Sequence, residues 1–288
     1  MDPQTQTLIT GCSTGIGHAT ARLFAERGAR VIATMRNPGR DPSRGHDLVA
    51  AGCTVVALDV TDTDQVQRVV AEAEAGDAGP IGVLVNNAGV GFTGAVEVMP
   101  DDLVRATFET NLFGPWALIR AVLPGMRRRR SGAVVNVSSV NGYLAIPGGA
   151  AYAASKFALE GMSEALALEV AQFGIRVTTV APGFITTAIA TTNRPLSRLD
   201  PASPYADLEE RVADYLGDGV AGGEPPAVVA ETIWEAVHGD RPRHRVAAGA
   251  DAAGIIASRR TSPDDAWLAG MRATFGLAGL PDQPALPG

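Results

Sequence analysis

The stretch Thr10-Gly11-Cys12-Ser13-Thr14-Gly15-Ile16-Gly17 decides the fold. It lies between an apolar segment, 6–10, and a helical pattern, 16–27. Glycines at such a junction allow a tight turn and let backbone amides approach a pyrophosphate at the N-terminus of a helix. The spacing is GxxxGxG, and glycines alone are also compatible with a flexible turn. The position between a first strand and a helix favours a dinucleotide-binding loop, formed by Gly11, Ser13, Gly15, Ile16 and Gly17.

Short β-branched segments alternate with Ala-rich helical patterns around this loop. Near-continuous apolar strands that alternate with helices indicate a parallel sheet that is buried on both faces. We therefore predict an α/β fold, a single-domain Rossmann-type doubly wound parallel sheet flanked by helices. Strands are predicted at 6–10, 29–34, 54–58, 81–85, 132–137, 176–180 and 244–248. Helices are predicted at 16–27, 43–51, 63–75, 100–129 with one or two breaks, 152–173, 205–216, 226–238, 251–260 and 263–275.

The pattern changes after residue 180. A connection at about 184–223 is too long for an ordinary loop and is predicted to be a lid insertion. Residues 1–248 then form the catalytic domain with its dinucleotide site. Residues 249–288 form a C-terminal helical extension of the same domain.

Composition excludes several classes of protein. The 288 residues are 46% hydrophobic and 19% charged, with a mean hydropathy of +0.10, which excludes intrinsic disorder. A net charge of −7 argues against nucleic-acid binding. No apolar run reaches the roughly 18 residues of a membrane span, and the first residues do not resemble a signal peptide. We expect a cytoplasmic protein, and the Ala-, Gly- and Arg-rich composition suggests a bacterial one.

Metal and disulfide sites are not predicted. Two cysteines form no disulfide framework or zinc site, and the four histidines lack ligand spacing. Cys12, inside the glycine loop, is expected to be a small filler, although alkylation of this thiol would block the loop.

Further candidate cofactor residues follow the next strands. Asp59, with Val60, ends the third strand, where ligands bind to such sheets; Asp59 or Asp62 could instead cap the following helix. Asn87, Ala88 and Gly89 follow the fourth strand, where they either admit an adenosine moiety or form an ordinary turn.

The end of the second strand bears on the choice of cofactor. NAD sites usually carry an acidic residue there, whereas an arginine can accept the 2′-phosphate of NADP. The chain has Arg36, with Arg40 nearby, so NADP(H) is predicted in preference to NAD(H). An arginine that is merely solvated at a strand end is the alternative.

A possible proton-transfer site follows the fifth strand. Ser139 ends this strand, and Tyr152 and Lys156 share one face of the next helix at i and i+4. A free phenol has a pKa near 10, and a neighbouring ammonium lowers the pKa of a phenol. Lys156 is the only lysine among 24 basic residues, which is consistent with a special role. Ser138 is the alternative to Ser139, although strand alternation sends the two hydroxyls to opposite faces.

Together, TGxxxGIG, NNAG, Ser139, Tyr152-x-x-x-Lys156 and Pro182-Gly183 resemble the short-chain dehydrogenase/reductase family. The resemblance covers residues 6–190 in register and is looser to 248. It implies that Tyr152 is the general acid/base, that Lys156 assists it and holds the nicotinamide ribose, and that Ser139 binds the substrate oxygen. Asn111 matches the fourth catalytic position, which supports a water relay. The segment at 182–187 would anchor the carboxamide, with Pro182, Gly183, Ile185 and Thr187 as its cofactor-binding residues.

The stretches 31–36 and 152–161 resemble the hydroxysteroid and retinol dehydrogenase branch most closely, which implies a large apolar alcohol or ketone as substrate. The resemblance implies that Val140, Ile146 and Pro147 line the pocket beside Ser139 and Tyr152, with Phe184 and the lid above. Tyr143, Leu144 and Ile189 are either apolar wall or ordinary core residues. The expected substrate is a steroid-like, a retinoid-like or a natural-product ketone or alcohol.

The sequence thus predicts an NADP(H)-dependent oxidoreductase that transfers a hydride between nicotinamide and a carbonyl or secondary alcohol. The alternative is an NADPH-binding sensor of the same fold that turns nothing over. The family resemblance further implies a homodimer or homotetramer that pairs through the helices at about 103–129 and 152–173.

Overall fold

The structure, a computed structural model, describes residues 5–187, 202–240 and 243–278. Its strands are β1 Gln6–Ile9, β2 Arg30–Met35, β3 Thr54–Ala57, β4 Ile81–Asn86, β5 Gly132–Val137, β6 Ile175–Pro182 and β7 Arg245–Ala248. They form one sheet in the order β3-β2-β1-β4-β5-β6-β7, and every neighbouring pair is parallel. From β1, the chain builds the sheet in one direction through β2 and β3 and then in the opposite direction from β4 to β7, so the switch point lies between β1 and β4. The predicted fold class is therefore confirmed.

The helices lie close to their predicted positions. They are α1 Gly15–Glu26, α2 Pro42–Ala50, α3 Thr63–Ala75, α4 Asp101–Phe108, α5 Gly114–Arg129, α6 Ala150–Val170, α7 Ala206–Ala221, α8 Pro226–His238, α9 Ala250–Thr261 and α10 Asp264–Thr274. None of these helices is both long and apolar enough to cross a lipid bilayer.

Two apolar layers cover the faces of the sheet. On one face, α1, α2 and α8 bury side chains such as Phe24, Leu48 and Ile233. On the other face, α3, α5 and α6 bury residues such as Val66 and Leu118. Because both faces are covered, the central strands β4 and β5 are buried along their whole length.

The predicted helix at 100–129 is broken by one π-helical turn, Glu109–Phe113, between α4 and α5. The side chain of Asn111, in this turn, bonds in both directions to the backbone of Val90: its Oδ1 accepts from the Val90 N–H at 2.9 Å, and its Nδ2 donates to the Val90 carbonyl at 2.9 Å. The turn therefore coincides with a tertiary contact that fixes the loop after β4.

In the described part of the predicted lid, residues 206–221 form the helix α7, which is longer than the predicted 205–216. Residues 188–201, including Ile189, lie outside the described residues. The strand β6 also runs further than predicted, to Pro182, which pairs with Ala248. A proline is tolerated at a strand end, where its missing N–H is not needed by the ladder.

Candidate active site

A cleft of about 1020 Å³ opens along the edge of the sheet where the strands end. Ligands of open α/β sheets bind at this edge, next to the point where the strand order reverses. Most of the predicted cofactor residues line the cleft: Gly11, Ser13, Gly15, Ile16, Arg36, Asp59, Val60, Asn87, Ala88, Gly89, Tyr152, Lys156, Pro182, Gly183, Ile185 and Thr187. The exception is Gly17, which is buried behind the loop.

The glycines of the first loop are required by close backbone approach. Gly11 and Gly15 have φ of 71° and 59°, in the left-handed region that favours glycine. A Cβ on Gly11 would lie 2.8 Å from the Cα of Ala88, and one on Gly17 would lie 2.9 Å from the carbonyl carbon of Gly11. Gly17 therefore lets α1 pack directly onto the loop, which explains its place behind the cleft.

A threonine that the sequence analysis missed holds the two cofactor loops together. The Thr10 Oγ1 accepts hydrogen bonds from the backbone N–H groups of Asn87 and Ala88, both at 3.0 Å. The Asn87 Nδ2 donates to the Thr10 carbonyl at 2.8 Å. Thr10 and Asn87 thus fix the turn after β4 against the glycine loop.

The end of the cleft beside β2 is rich in arginine. Arg36 and Arg40 are exposed there, as predicted, and Arg44 from α2 joins them. The guanidinium of Arg44 lies 2.6 Å from Oδ2 of Asp41 and donates to the Ser13 carbonyl at 3.0 Å. Hydrogen bonds from Ser43 and Arg44 hold the pKa of Asp41 below its ordinary value. The three arginines could bind an anionic group at this end.

The hydrogen bonds distinguish the two roles considered for Asp59, a residue of the cofactor site or a helix cap. Asp62 caps α3, because its side chain accepts from the Gln65 N–H at 2.9 Å. Asp59 lines the cleft, and its Oδ1 accepts from the N–H and the hydroxyl of Thr61. Its carboxylate is therefore fixed at the sheet edge.

Three polar side chains that line the cleft belong to Ser139, Tyr152 and Lys156. Tyr152 and Lys156 lie on α6, and both are buried except where they line the cleft. The Lys156 Nζ lies 5.7 Å from the centre of the Tyr152 ring and donates to the Val137 carbonyl at 2.8 Å. Ser139 follows β5 and also lines the cleft, and its Oγ accepts from the Asn141 N–H at 3.1 Å. Ser139, Tyr152 and Lys156 therefore line one and the same cleft.

Ser138 also lies at the cleft, but its Oγ is buried and does not face it, whereas Ser139 lines the cleft. That the two hydroxyls point to opposite sides stays a prediction. The Ser138 Oγ is buried against Gly142, where it has no hydrogen-bond partner within the described residues.

Asn111 does not line the cleft and is buried beside it. In addition to its bonds to Val90, its Nδ2 lies 3.0 Å from the Ser155 Oγ, which donates to the Tyr152 carbonyl at 2.7 Å. Asn111 therefore connects the loop after β4 to the turn of α6 that carries Tyr152.

The opposite half of the cleft is apolar. Val140, Leu144, Ile146 and Phe184 line it, whereas Pro147 does not. Tyr143 lies outside the cleft and packs beside α9, where burial raises its pKa to about 12. Tyr215, Leu216 and Val220, which also line the cleft, belong to the predicted lid. The sequence analysis did not identify the lining residues of α9 and α10: Gly254, Ile255, Ser258, Trp267 and Met271.

The described residues include no group of three side chains that could hold a metal ion. The residues of the cleft instead fit a dinucleotide. The glycine loop lies at the N-terminus of α1, where Thr14 places no side-chain hydrogen bond on the first amides. Backbone amides at such an end attract phosphate groups.

Comparison with known proteins identifies the family. A profile of the short-chain dehydrogenase family matches residues 5–197. A 3-ketodihydrosphingosine reductase of Bacteroides thetaiotaomicron is 38% identical over 250 residues, which span 86% of this chain and 89% of the relative. Retinol dehydrogenase 8 of Bos taurus is 37% identical over 252 residues, which span 82% of this chain and 78% of the relative.

A solved short-chain dehydrogenase from Streptomyces avermitilis superposes with a TM-score of 0.80 at 36% identity, over 96% of each chain. The profile match spans the strands β1 to β6, and the superposition covers nearly the whole chain. The chain therefore belongs to the short-chain dehydrogenase family, whose oxidoreductases bind a nicotinamide cofactor.

Proposed function

We propose that this chain is an NADP(H)-dependent oxidoreductase that acts on a carbonyl or secondary alcohol of a mainly apolar substrate. The observation that carries the proposal is the juxtaposition of Ser139, Tyr152 and Lys156 in one cleft, between an arginine-rich end and an apolar end. When bound, the nicotinamide supplies or accepts the hydride. The following roles belong to side chains of the chain itself.

Tyr152 gives a proton to the carbonyl oxygen in reduction and removes it in oxidation. Lys156, one turn further along the same face of α6, would assist Tyr152 and hold the nicotinamide ribose. The Ser139 hydroxyl donates a hydrogen bond to the substrate oxygen as negative charge develops on it. Asn111 holds the turn of α6 below Tyr152 and supports a water relay to Lys156.

At the other end, the glycine loop and the turn at Asn87 would hold the pyrophosphate and the adenosine. Arg36 would bind the 2′-phosphate, assisted by Arg40 and Arg44. Support comes from their place along one edge of the cleft. Because cellular NADPH is kept mostly reduced, reduction is the proposed direction.

The apolar half of the cleft supports an apolar substrate, bound beside Val140, Ile146, Phe184 and, at its reacting end, Ser139 and Tyr152. The relatives named above are a retinol dehydrogenase and a 3-ketodihydrosphingosine reductase. A retinoid-like, steroid-like or other long apolar alcohol or ketone is the substrate class we propose for this chain.

A homodimer is also proposed, through α5 and α6. Phe113 precedes α5, Trp116 lies on α5, and Phe157 and Leu168 lie on α6; all are large apolar side chains that are between 46% and 78% exposed in the single chain. Burial of such residues stabilises an association. The cytoplasmic location and the bacterial origin stay predictions from composition.

The proposed function is tested by steady-state oxidation of NADPH, and separately of NADH, with ketones from cyclohexanone to steroid-sized compounds. We expect turnover of bulky apolar ketones. Tyr152→Phe should lower kcat by at least about 100-fold, the effect typical of a lost general acid, and should leave NADPH binding unchanged. Activity retained by Tyr152→Phe would refute the role of Tyr152. Tight NADPH binding without turnover of any ketone would favour the sensor alternative.

The cofactor preference has its own test. A hydrogen bond to a charged group contributes about 1.5–3 kcal/mol, so Arg36→Ala should weaken NADPH binding roughly 10–100-fold and leave NADH binding nearly unchanged. Arg68→Ala, an exposed arginine of α3 outside the cleft, is the matched control. If Arg36→Ala weakens the binding of NADPH and NADH equally, Arg36 does not bind the 2′-phosphate.

A further inference from the structure

The helices α9 and α10 form part of the apolar lining of the cleft. Gly254, Ile255 and Ser258 of α9 and Trp267 and Met271 of α10 line it, and none of these five side chains carries a charge. We propose that α9 and α10, which we call the end wall, bind the part of the substrate farthest from Tyr152. The end wall would make the enzyme select elongated, uncharged ketones over short ones. This inference rests on the proposed function.

The end wall is attached to the rest of the cleft by a row of aromatic rings. The ring of Phe275, just after α10, is almost completely buried and lies 5.1 Å from the ring of Tyr215 on α7. Tyr215 in turn lies 5.7 Å from Phe184, which follows β6. Both pairs have the edge-to-face geometry that is favourable for aromatic rings. The helix α10 is thereby fixed over the cleft.

The start of α9 is fixed by two carboxylates. The Asp251 Oδ2 accepts a hydrogen bond from the Phe184 N–H at 2.9 Å, and the Glu224 Oε2 accepts one from the Ala250 N–H at 2.6 Å. Ala252 and Ile256 are buried in a small apolar cluster with Val140. The end wall is therefore tied to the loop that lies beside Ser139 and Tyr152.

The charged groups close to the end wall point to an uncharged ligand. Arg259 lies 5.6 Å from the centre of the Trp267 ring, and its Nη2 is 2.7 Å from Oδ1 of Asp264. Arg259 is therefore already paired and does not line the cleft. An apolar tail gains roughly fourfold in affinity for each methylene group that it buries fully. Selectivity should thus rise with the length of the substrate until the tail reaches Trp267.

The test compares methyl ketones from butanone to dodecanone with NADPH as the reductant. Wild type should show kcat/KM that rises with chain length. Trp267→Ala should lower kcat/KM for dodecanone at least about tenfold and change that for butanone by no more than about twofold. Leu268→Ala, the exposed neighbour that does not line the cleft, should leave both values unchanged. Met271→Ala is the second variant, in case Trp267→Ala does not fold.

If Trp267→Ala lowers kcat/KM equally for butanone and dodecanone, or does not lower it for dodecanone, the proposed role of the end wall is wrong. We would also measure by calorimetry how tightly dodecanone binds to the complex of the protein with NADPH. This measurement distinguishes a failure of the end-wall proposal from a failure of the proposed function. If wild type reduces no ketone, the proposed function fails, but binding of dodecanone that Trp267→Ala weakens still supports the end wall. Binding that is absent in wild type, or equal in both proteins, overturns it.

Discussion

A methyl group at Gly183 should collide with Asp251. The Cβ of Gly183→Ala would lie 2.5 Å from the Asp251 Oδ2 and closer still to its Cγ and Oδ1. The backbone of Gly183 cannot easily move away, because its N–H donates to the Ala248 carbonyl of β7 at 3.1 Å. Asp251 must therefore move, which breaks its hydrogen bond with the Phe184 N–H.

The expected cost follows from these contacts. Overpacking costs about 1–3 kcal/mol, and the lost hydrogen bond to a carboxylate costs about 1.5–3 kcal/mol. We expect Gly183→Ala to lower the free energy of unfolding by about 2.5–6 kcal/mol. With about 2 °C per kcal/mol for a chain of this size, the thermal midpoint should fall by roughly 5–12 °C. Gly217→Ala in α7 is the control, because its Cβ would meet no atom within 4 Å other than those of its chain neighbours and its own helix backbone. Its midpoint should be unchanged or slightly raised, since alanine favours a helix over glycine by about 1 kcal/mol.

A double-mutant cycle tests the reasoning directly. Asp251→Ala removes the atoms that the new methyl group would meet. On this background, adding Gly183→Ala should cost less than about 1 kcal/mol, because interacting positions are not additive. If Gly183→Ala lowers the midpoint by the same amount with and without Asp251, the collision is not the cause of the loss.

Three further predictions follow from buried groups. Burial raises the pKa of Cys53 to about 11 and raises that of Cys12 still further, so both thiols stay protonated at neutral pH. Fewer than roughly 0.1 thiols per chain should therefore react with a disulfide reagent before denaturation. Rapid labelling of the native protein would contradict this prediction. Asn111→Ala removes the bonds that join the loop after β4 to α6, and should lower the free energy of unfolding by about 2–3 kcal/mol; an unchanged thermal midpoint would show that these bonds contribute little. Phe275→Ala detaches α10 from its aromatic neighbour and should speed tryptic cleavage at Arg272; cleavage at the wild-type rate would show that α10 is held by other contacts.

The sheet and the centre of the cleft could be predicted because local patterns determine them. The alternation of apolar strands and helices defined every strand to within a few residues, and the i, i+4 spacing placed Tyr152 and Lys156 on one helix face. Ser139 and the glycine loop follow strands directly. Their meeting at one edge is a geometric consequence of parallel strands.

Features that depend on distant partners could not be predicted. The π-helical turn at Asn111 is joined to Val90, 21 residues earlier, and nothing in the local sequence reveals this contact. Arg44 lies in the helix α2, and nothing in the sequence around it distinguishes it from an ordinary solvent-exposed arginine. The position of Trp267 depends on the contact between Phe275 and Tyr215, which are about 60 residues apart in the chain. Thr10 acts through hydrogen bonds of its hydroxyl group with residues that follow β4.

The place of Trp267 also has an optical consequence. Of the three tryptophans in the sequence, only Trp267 lines the cleft, whereas Trp116 is half-exposed on α5 and Trp234 packs on Phe24 of α1. Indole emission depends on the polarity around the ring, so a molecule that replaces water next to Trp267 shifts the emission of this ring alone. The chain therefore carries an intrinsic fluorophore in the lining of its own cleft, against a constant background from the other two tryptophans.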